Sequence, residues 1–390
     1  MPGHSQFRLL TLHYSLYQLS VALAGGFVGA YLLKLGFSLP AALSAYAALL
    51  SMRFGLRFIS LSIVRRVGYQ AAIVLGTILV AAQFLPLMGA DKPYWLVAWL
   101  LVVSLAESLY WPVYHAAAAV TGGEARGREV GIRAAAGALA NVLGPLAGGA
   151  LLEHFGPAVD FAIAALISMM SVAPLLALKG IAGGPVPSIR ESVRSIDRSG
   201  FATFAADGWM ASGLAIAWPM TLFLSLDLHF AAFGVANAAA GVMGAVTGLL
   251  CGSAIDRGGR DRCLALVSCA LVAGFILRTC ATWSPLAATL ANASGAAVQG
   301  LYVPVLMTVI YDSAKQSGAA YRFNFAAEAG WDIGAASGCL AAALVAGLTQ
   351  VPSLAVLPAV LGVGVFYHCV RGQSHPLRRP LGLNDEVSAA

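Results

Sequence analysis

Charge is what this chain has least of. Lysine, arginine, aspartate and glutamate together make up 10% of its 390 residues, against roughly a quarter in a typical soluble domain. That excludes an ordinary water-exposed globule. Metal and disulfide frameworks are missing as well. The cysteines, Cys251, Cys263, Cys269, Cys280, Cys339 and Cys369, all lie in the second half, form no CxxC pair and have no His-rich cluster beside them. They read as small apolar packing residues. No polar stretch is long enough for an extramembrane domain, so no cofactor-binding module is expected. The net charge of +6 is accounted for by topology and calls for no nucleic-acid partner.

What is abundant is apolar sequence: 59% of residues are hydrophobic and the mean hydropathy is +0.81. Twelve stretches approach the ~20 residues needed to cross a hydrocarbon core. They run over 9–33, 40–63, 68–90, 93–119, 131–152, 157–178, 200–226, 230–254, 262–283, 286–311, 323–347 and 352–370. The fold class this predicts is an all-α membrane protein, its twelve transmembrane helices arranged as two pseudo-symmetric six-helix bundles. The one long polar connection, GIAGGPVPSIRESVRSIDRS from Gly180 to Ser199, falls near the middle. It divides an N-terminal bundle (1–179) from a linker (180–199), a C-terminal bundle (200–371) and a tail (372–390). In Ser188–Arg198, Ile189, Val193 and Ile196 stand at helical spacing opposite Arg190, Arg194 and Arg198. This suits a short amphipathic helix at the membrane surface, with a solvated charged loop as the alternative.

With the N-terminus cytoplasmic, nearly all basic residues outside the spans fall on cytoplasmic loops, and only Lys34, Lys92 and Arg278 fall on the outer side. This bias predicts both termini inside. Ala22-Leu23-Ala24 has the form of a signal-peptide cleavage site. The first segment has a counterpart in the seventh, however, with Tyr17 opposite Trp209 and Ser20 opposite Ser212, and is kept as a span.

The chain reads as one unit written twice. Leu109-Tyr110-Trp111-Pro112-Val113 reappears as Leu301-Tyr302-Val303-Pro304-Val305. At nearly the same offset, GSAIDRGGRDR from Gly252 to Arg262 has a degraded first-half copy around Arg65, Arg66 and Gly68. The second-half string has the form G-x-x-x-D-R-x-G-R-x-R. Gly252 permits close helix packing, Gly259 permits a tight turn, and Asp256 caps a helix end and pairs with an arginine such as Arg257 or Arg260. In the first copy Leu61 replaces the first glycine and Arg65 the aspartate, while Arg66 and Gly68 survive. Between its apolar segments this string resembles the signature loop of the major facilitator superfamily. The fifth segment carries Gly131, Ala140, Gly144, Pro145, Gly148 and Gly149 in a pattern similar to that of the superfamily's proton-coupled antiporters, with Ala140 in place of a glycine. The fourth segment lacks the arginine usual in the drug-exporting members.

The resemblance implies alternating access. Two bundles rock about a midplane site, charged loops and the bent fifth helix gate the motion, and a small organic solute moves with protons. It implies a cofactor-free monomer and no enzyme. Export is the first expectation and proton-coupled uptake of an organic anion the second. A sensor or scaffold that transports nothing is the alternative of another class. Composition fits a bacterial inner membrane.

Ionisable groups inside a span usually face a cavity. Glu107, Trp111, Tyr114 and His115 share one helix face, making Glu107 the first proton-carrier candidate and His115 either a relay or a group bonded to a carbonyl. Asp207 is a second carboxyl candidate. Arg53 and Arg57 lie one turn apart, as do Glu328 and Asp332. Three readings stay open for the arginines: a lock onto Glu328 and Asp332 in the other half, contact with an anionic substrate, or local pairing such as Arg53 with Glu107. Tyr14, Tyr17, Gln18, Gln299 and Tyr302 complete the candidate cavity lining, for which helix packing is the alternative use.

Overall fold

In a computed structural model of the chain, residues 2–120, 126–178, 180, 181, 184–194, 196–255 and 260–374 are described, without the side chains of 2–5, 120, 126–136, 251–255, 260–263, 308 and 372–374. Among them every regular element is helical. In chain order these are α1 (Pro2–Leu23), α2 (Val28–Lys34), α3 (Leu39–Ala82), α4 (Phe84–Met88), α5 (Pro93–Val120), α6 (Arg126–His154), α7 (Pro157–Met170) and α8 (Val172–Leu176). They are followed by α9 (Ile189–Arg194), α10 (Arg198–Ala211), α11 (Trp218–Ser225), α12 (Phe230–Ile255), α13 (Arg260–Cys280), α14 (Pro285–Gln316), α15 (Ala320–Thr349) and α16 (Val360–Ser374). A π-helical stretch, Ser212–Ala217, joins α10 to α11, and a 3-10 stretch, Pro352–Ala359, leads into α16.

Among the described residues eight helical stretches are individually long and apolar enough to cross a bilayer. One of them serves twice. At ~1.5 Å per residue the 44 residues of α3 would reach about 66 Å if straight, roughly twice a hydrocarbon core. Gly68 breaks the helix with φ 82° and ψ 171°, a conformation open almost only to glycine. Nothing lies within 4 Å of where its Cβ would stand, so the substitution cost is backbone strain alone. Gly68→Ala is therefore expected to cost about 1–3 kcal/mol, measured as a lower melting temperature in detergent with unchanged helix content.

The helices alternate in direction, so the loops at 34–39, 88–93, 154–157, 225–230, 280–285 and 349–352 gather at one end, here the far end. The described ends of α1 and α16 and the linker lie at the other, near end. Glycine sets how closely the helices approach. A Cβ on Gly148 would stand 1.9 Å from the Leu23 carbonyl oxygen, and one on Gly144 2.5 Å from Ala22 Cβ, so α6 lies hard against α1. Gly149 meets Gly234 in the same way across α6 and α12, with Pro145 presenting its carbonyl to Gly234. The second half repeats the device. Gly330 and Gly334 of α15 face Phe201 and Ala205 of α10, and Gly338 faces Ser212 at the start of the π-helical stretch; a Cβ on Gly334 would lie 2.0 Å from the Ala205 oxygen. This small-xxx-small row lets backbones touch where no hydrophobic effect drives helices together. Gly334→Leu should separate the pair, costing about 1–3 kcal/mol and lowering the yield of folded protein from membranes.

The linker departs from the expected helix over Ser188–Arg198: among its described residues Ile189–Arg194 is one helix and Arg198 already opens α10, because two caps divide the segment. Ser188 and Glu191 form a reciprocal capping box, the Ser188 N–H donating to Glu191 Oε2 at 2.6 Å and the Glu191 N–H to Ser188 Oγ at 3.2 Å. Asp197 then caps the start of α10, accepting from the Gly200 N–H at 2.7 Å. Ile189, Val193 and Ile196 are exposed. The loop residues Asp256, Arg257 and Gly259 and the side chains at Gly131, Gly252 and Arg260 lie outside the described residues, whereas Arg66 is exposed at the near end.

Candidate functional site

First- and second-half helices meet along two seams, α3 on α15 and α6 on α12. The α3–α15 seam runs from Tyr69 against Tyr321 (ring centroids 5.0 Å apart) through Phe58 against Phe325 (6.4 Å). At the far end Pro40 approaches Gly347. Between these contacts sits a cluster of charge. Arg53 donates through Nε to Asp332 Oδ1 and through Nη1 to Glu107 Oε2. Arg57 donates through Nη2 and Nε to Asp332 Oδ2. The one-turn spacing of each pair makes this possible: it points both guanidiniums from α3 at a single carboxylate of α15. Arg53 also lies 4.7 Å over the Trp331 ring and Arg57 5.8 Å over Phe325. Asp332 is fully buried.

Glu328 takes a different partner. Its Oε1 is 3.5 Å from His115 Nε2, while His115 Nδ1 lies 3.1 Å from the Tyr311 hydroxyl of α14. A neutral imidazole satisfies both contacts, donating from Nε2 and accepting at Nδ1. His115 thus bonds a carboxylate and a phenol across the seam, not a carbonyl. Both arginines converge on Asp332 rather than one on each acid, and Arg53 at the same time takes Glu107. The cross-half and local arrangements coexist in one cluster of two guanidiniums and three carboxyls.

The aromatic candidates form a ladder between α1 and α5. Tyr17 stacks on Tyr110 at 4.1 Å, Tyr110 on Tyr114 at 5.6 Å and Tyr14 on Tyr114 at 4.8 Å. Trp111 stacks on His115 at 5.4 Å. Tyr17 and Tyr114 are buried in this packing, so in this conformation they hold α1 to α5. Gln18 and Gln299 are half-buried. Asp207 accepts from the Tyr302 hydroxyl and from the Trp331 indole, whose ring lies under Arg53, so it adjoins the arginine cluster. Trp209 turns away and donates to the Pro358 carbonyl at 2.6 Å.

Several groups at the site were passed over in the sequence. Tyr110 stood inside the repeated Leu-Tyr-Trp-Pro-Val string yet was used only as a repeat marker. His13, buried, lies 2.8 Å from the Ser171 carbonyl oxygen and 3.1 Å from the Tyr110 hydroxyl, and nothing in the sequence distinguishes it from a packing histidine. Trp331 and Tyr311 are neighbours of flagged positions that only tertiary contact brings in.

The far end is clamped separately. Glu153, at the end of α6, accepts from the Phe230 N–H (2.7 Å) and the Ala231 N–H (3.4 Å) at the start of α12, and sits 3.2 Å from His229 Nδ1. It caps a second-half helix with a first-half carboxylate. Lys34 donates to the Leu228 carbonyl at 3.2 Å, holding a turn in which Asp227 and Leu228 both have positive φ, 52° and 60°, a strained pair for non-glycine residues. Partial burial pushes the Glu153 carboxyl up, but the hydrogen bonds from His229, Ala231 and Phe230 outweigh it and hold it below the ordinary carboxylate range. A carboxylate depressed by the clamp favours the clamped form above the ordinary carboxylate value, and that preference is lost as pH falls through the depressed value. Glu153→Gln should loosen the far end at neutral pH. A Phe27→Cys reporter, buried beside Phe230 and Phe233, is then expected to react faster with an impermeant maleimide in the Glu153→Gln background.

No family model matches the chain, and no curated protein matches it. Solved structures do. A crystal structure of the major facilitator transporter FucP in its outward conformation is 15% identical with a TM-score of 0.68, covering 96% of this chain and 100% of that one. A crystal structure of a variant of the Escherichia coli fucose:proton symporter FucP is 14% identical (TM-score 0.65; 95% of this chain, 98% of that one). The human organic anion transporter TETRAN is 15% identical (TM-score 0.67; 96% and 100%).

Proposed function

Because the fold is that of major facilitator superfamily transporters, we propose that this multi-pass chain is a secondary active transporter that moves a small organic solute by alternating access, coupled to protons. The observation that carries the reading is the cluster of Arg53, Arg57, Glu107, Glu328 and Asp332, which joins the two halves across the α3–α15 seam. An enzyme needs a nucleophile and base in reach of a substrate. A transporter needs charges whose pairing differs between two arrangements of its halves. The cluster meets the second requirement, since each ion pair between α3 and α15 breaks if the halves rock apart there.

Three carboxyls against two guanidiniums leave one negative charge in excess, which a bound proton cancels. Glu107, with a side chain 28% exposed, is the member that water reaches most readily, so it serves as the proton carrier. Glu328 and His115 form the onward relay, and Asp207, joined to the cluster through Trp331, is the second carboxyl candidate. The glycine-proline row of α6, lying against both α1 and α12, supports export by antiport. Uptake by symport is the second reading, favoured by the likeness to a fucose:proton symporter. Both termini are placed in the cytoplasm of an inner membrane, and the chain acts as a monomer.

The test is a proteoliposome assay with an internal pH dye and a panel of sugars, carboxylates and lipophilic cations imposed as gradients. The expected result is a solute-dependent proton movement that dissipates with an uncoupler. Silence with every solute and with an imposed proton gradient removes the transport reading in favour of a sensor or scaffold.

A further inference from the structure

We propose that Arg278 forms a binding site for one monovalent anion inside the second half, the anion being a halide or the carboxylate of an organic solute. Arg53, Arg57 and Arg278 are the buried arginines among the described residues. The first two are answered by carboxylates. Arg278 is not. It lies in the last turn of α13, 2% exposed, with its guanidinium 5.1 Å over the Trp218 ring, and both Nε and Nη1 lack a hydrogen-bond partner among the described residues. An arginine cannot shed its proton to relieve the charge, and an unanswered ion in this setting is costly.

The neighbours do not neutralise it. Trp218 donates from Nε1 to Asn292 Oδ1 at 2.9 Å, and Asn292 donates from Nδ2 to the Ala236 carbonyl at 3.1 Å and to Asn237 Oδ1 at 3.2 Å. The amide oxygens nearby are thus already engaged by other donors. Gly295 of α14 completes the wall: a Cβ there would stand 2.1 Å from Nη2, so a side chain at this position displaces the guanidinium from its place. Trp218 covers one face of the planar group and Gly295 lies against Nη2, while Nε and Nη1 remain two separate unpartnered donors, each able to donate to a halide or to one oxygen of a carboxylate. The far-end mouth of the bundle is less than a turn of helix away along α13.

The experiment uses the full chain in nanodiscs and reads the Trp218 contribution to fluorescence, taken as the difference from a Trp218→Phe variant. Bromide, a heavy-atom quencher, is titrated against sulfate at constant ionic strength. Saturable quenching is expected, weakened about tenfold or more in Arg278→Gln as charge-assisted hydrogen bonds are lost and weakened less in Arg278→Lys, which also serves if the glutamine variant does not assemble. Chloride and benzoate are then added as competitors. Displacement by chloride assigns a halide site, and displacement by benzoate alone assigns a site for the carboxylate of an organic solute. Quenching that stays linear in bromide and equal in wild type and Arg278 variants, or that neither competitor reverses, overturns the proposal and leaves Arg278 a structural cation on Trp218. None of these readings depends on transport.

Discussion

Asp332→Asn is expected to destabilise the protein by about 3–5 kcal/mol, the cost of removing one partner from a buried ion pair. The size follows from sharing. Asp332 is the only carboxylate that Arg57 touches among the described residues and one of two that Arg53 touches. Asparagine keeps the shape and one acceptor but removes the charge, so Arg57 is left buried with no carboxylate in contact and Arg53 with Glu107 as its one ion pair. Scanning fluorimetry in detergent should show a clear drop in melting temperature. Adding Arg57→Met to Asp332→Asn should return part of it, because the stranded charge is then gone. With the Arg57→Met single variant measured beside them, the cycle yields the coupling energy of the pair. A melting temperature unchanged in the single variant would mean that Asp332 and the arginines do not meet in the membrane.

Glu107→Gln is expected to act on coupling with little effect on stability. Glu107 is partly exposed and contributes one contact to Arg53, which keeps Asp332 when Glu107 is neutralised. The excess of one carboxyl disappears with the substitution, and with it the group that exchanges protons with water. Solute movement driven by a pH gradient should vanish, while downhill exchange of solute for solute continues at a rate within a few fold of wild type. Unchanged pH dependence in Glu107→Gln, with loss of it in Glu328→Gln, would transfer the carrier role to Glu328 and its partner His115.

Much of the fold was legible because membranes enforce simple rules: apolar stretches of fixed length, a positive bias and a duplicated frame. What the sequence concealed were features made by backbone contact or capping. Leu39–Ala82 reads as two segments, and only the positive φ of Gly68 shows how little separates them. The linker helix shortened because Ser188 with Glu191 and Asp197 act as caps, residues legible as charge but overlooked as punctuation. The glycine row of α15 is legible as Gly330-x3-Gly334-x3-Gly338, the counterpart of the row in α6, but the helix it packs against is not.

At the site, one-turn spacing puts Arg53 with Arg57 on one helix face and Glu328 with Asp332 on another; that the two faces meet follows from the α3–α15 seam. The exact pairing was not recoverable, since any of the three acids satisfies a guanidinium on paper. The far-end clamp was invisible for a different reason. Glu153 bonds mainly backbone N–H groups, and no side-chain motif announces a backbone partner 77 residues away.

The claim at the centre is that the two halves exchange their contacts at opposite ends, with the ion pairs of the arginine cluster breaking and re-forming as they do. Pulsed electron–electron resonance between two spin-label pairs tests it without knowledge of the solute: Val67 with Ser317 at the near end, Lys92 with Trp283 at the far end, all four exposed, on a cysteine-free background in nanodiscs. Lowering the pH, or introducing Asp332→Asn, should shift the two distance distributions in opposite directions, one pair widening as the other closes. Distributions that stay fixed at both ends, or that widen together, would contradict alternating access and leave the fold without the motion proposed for it.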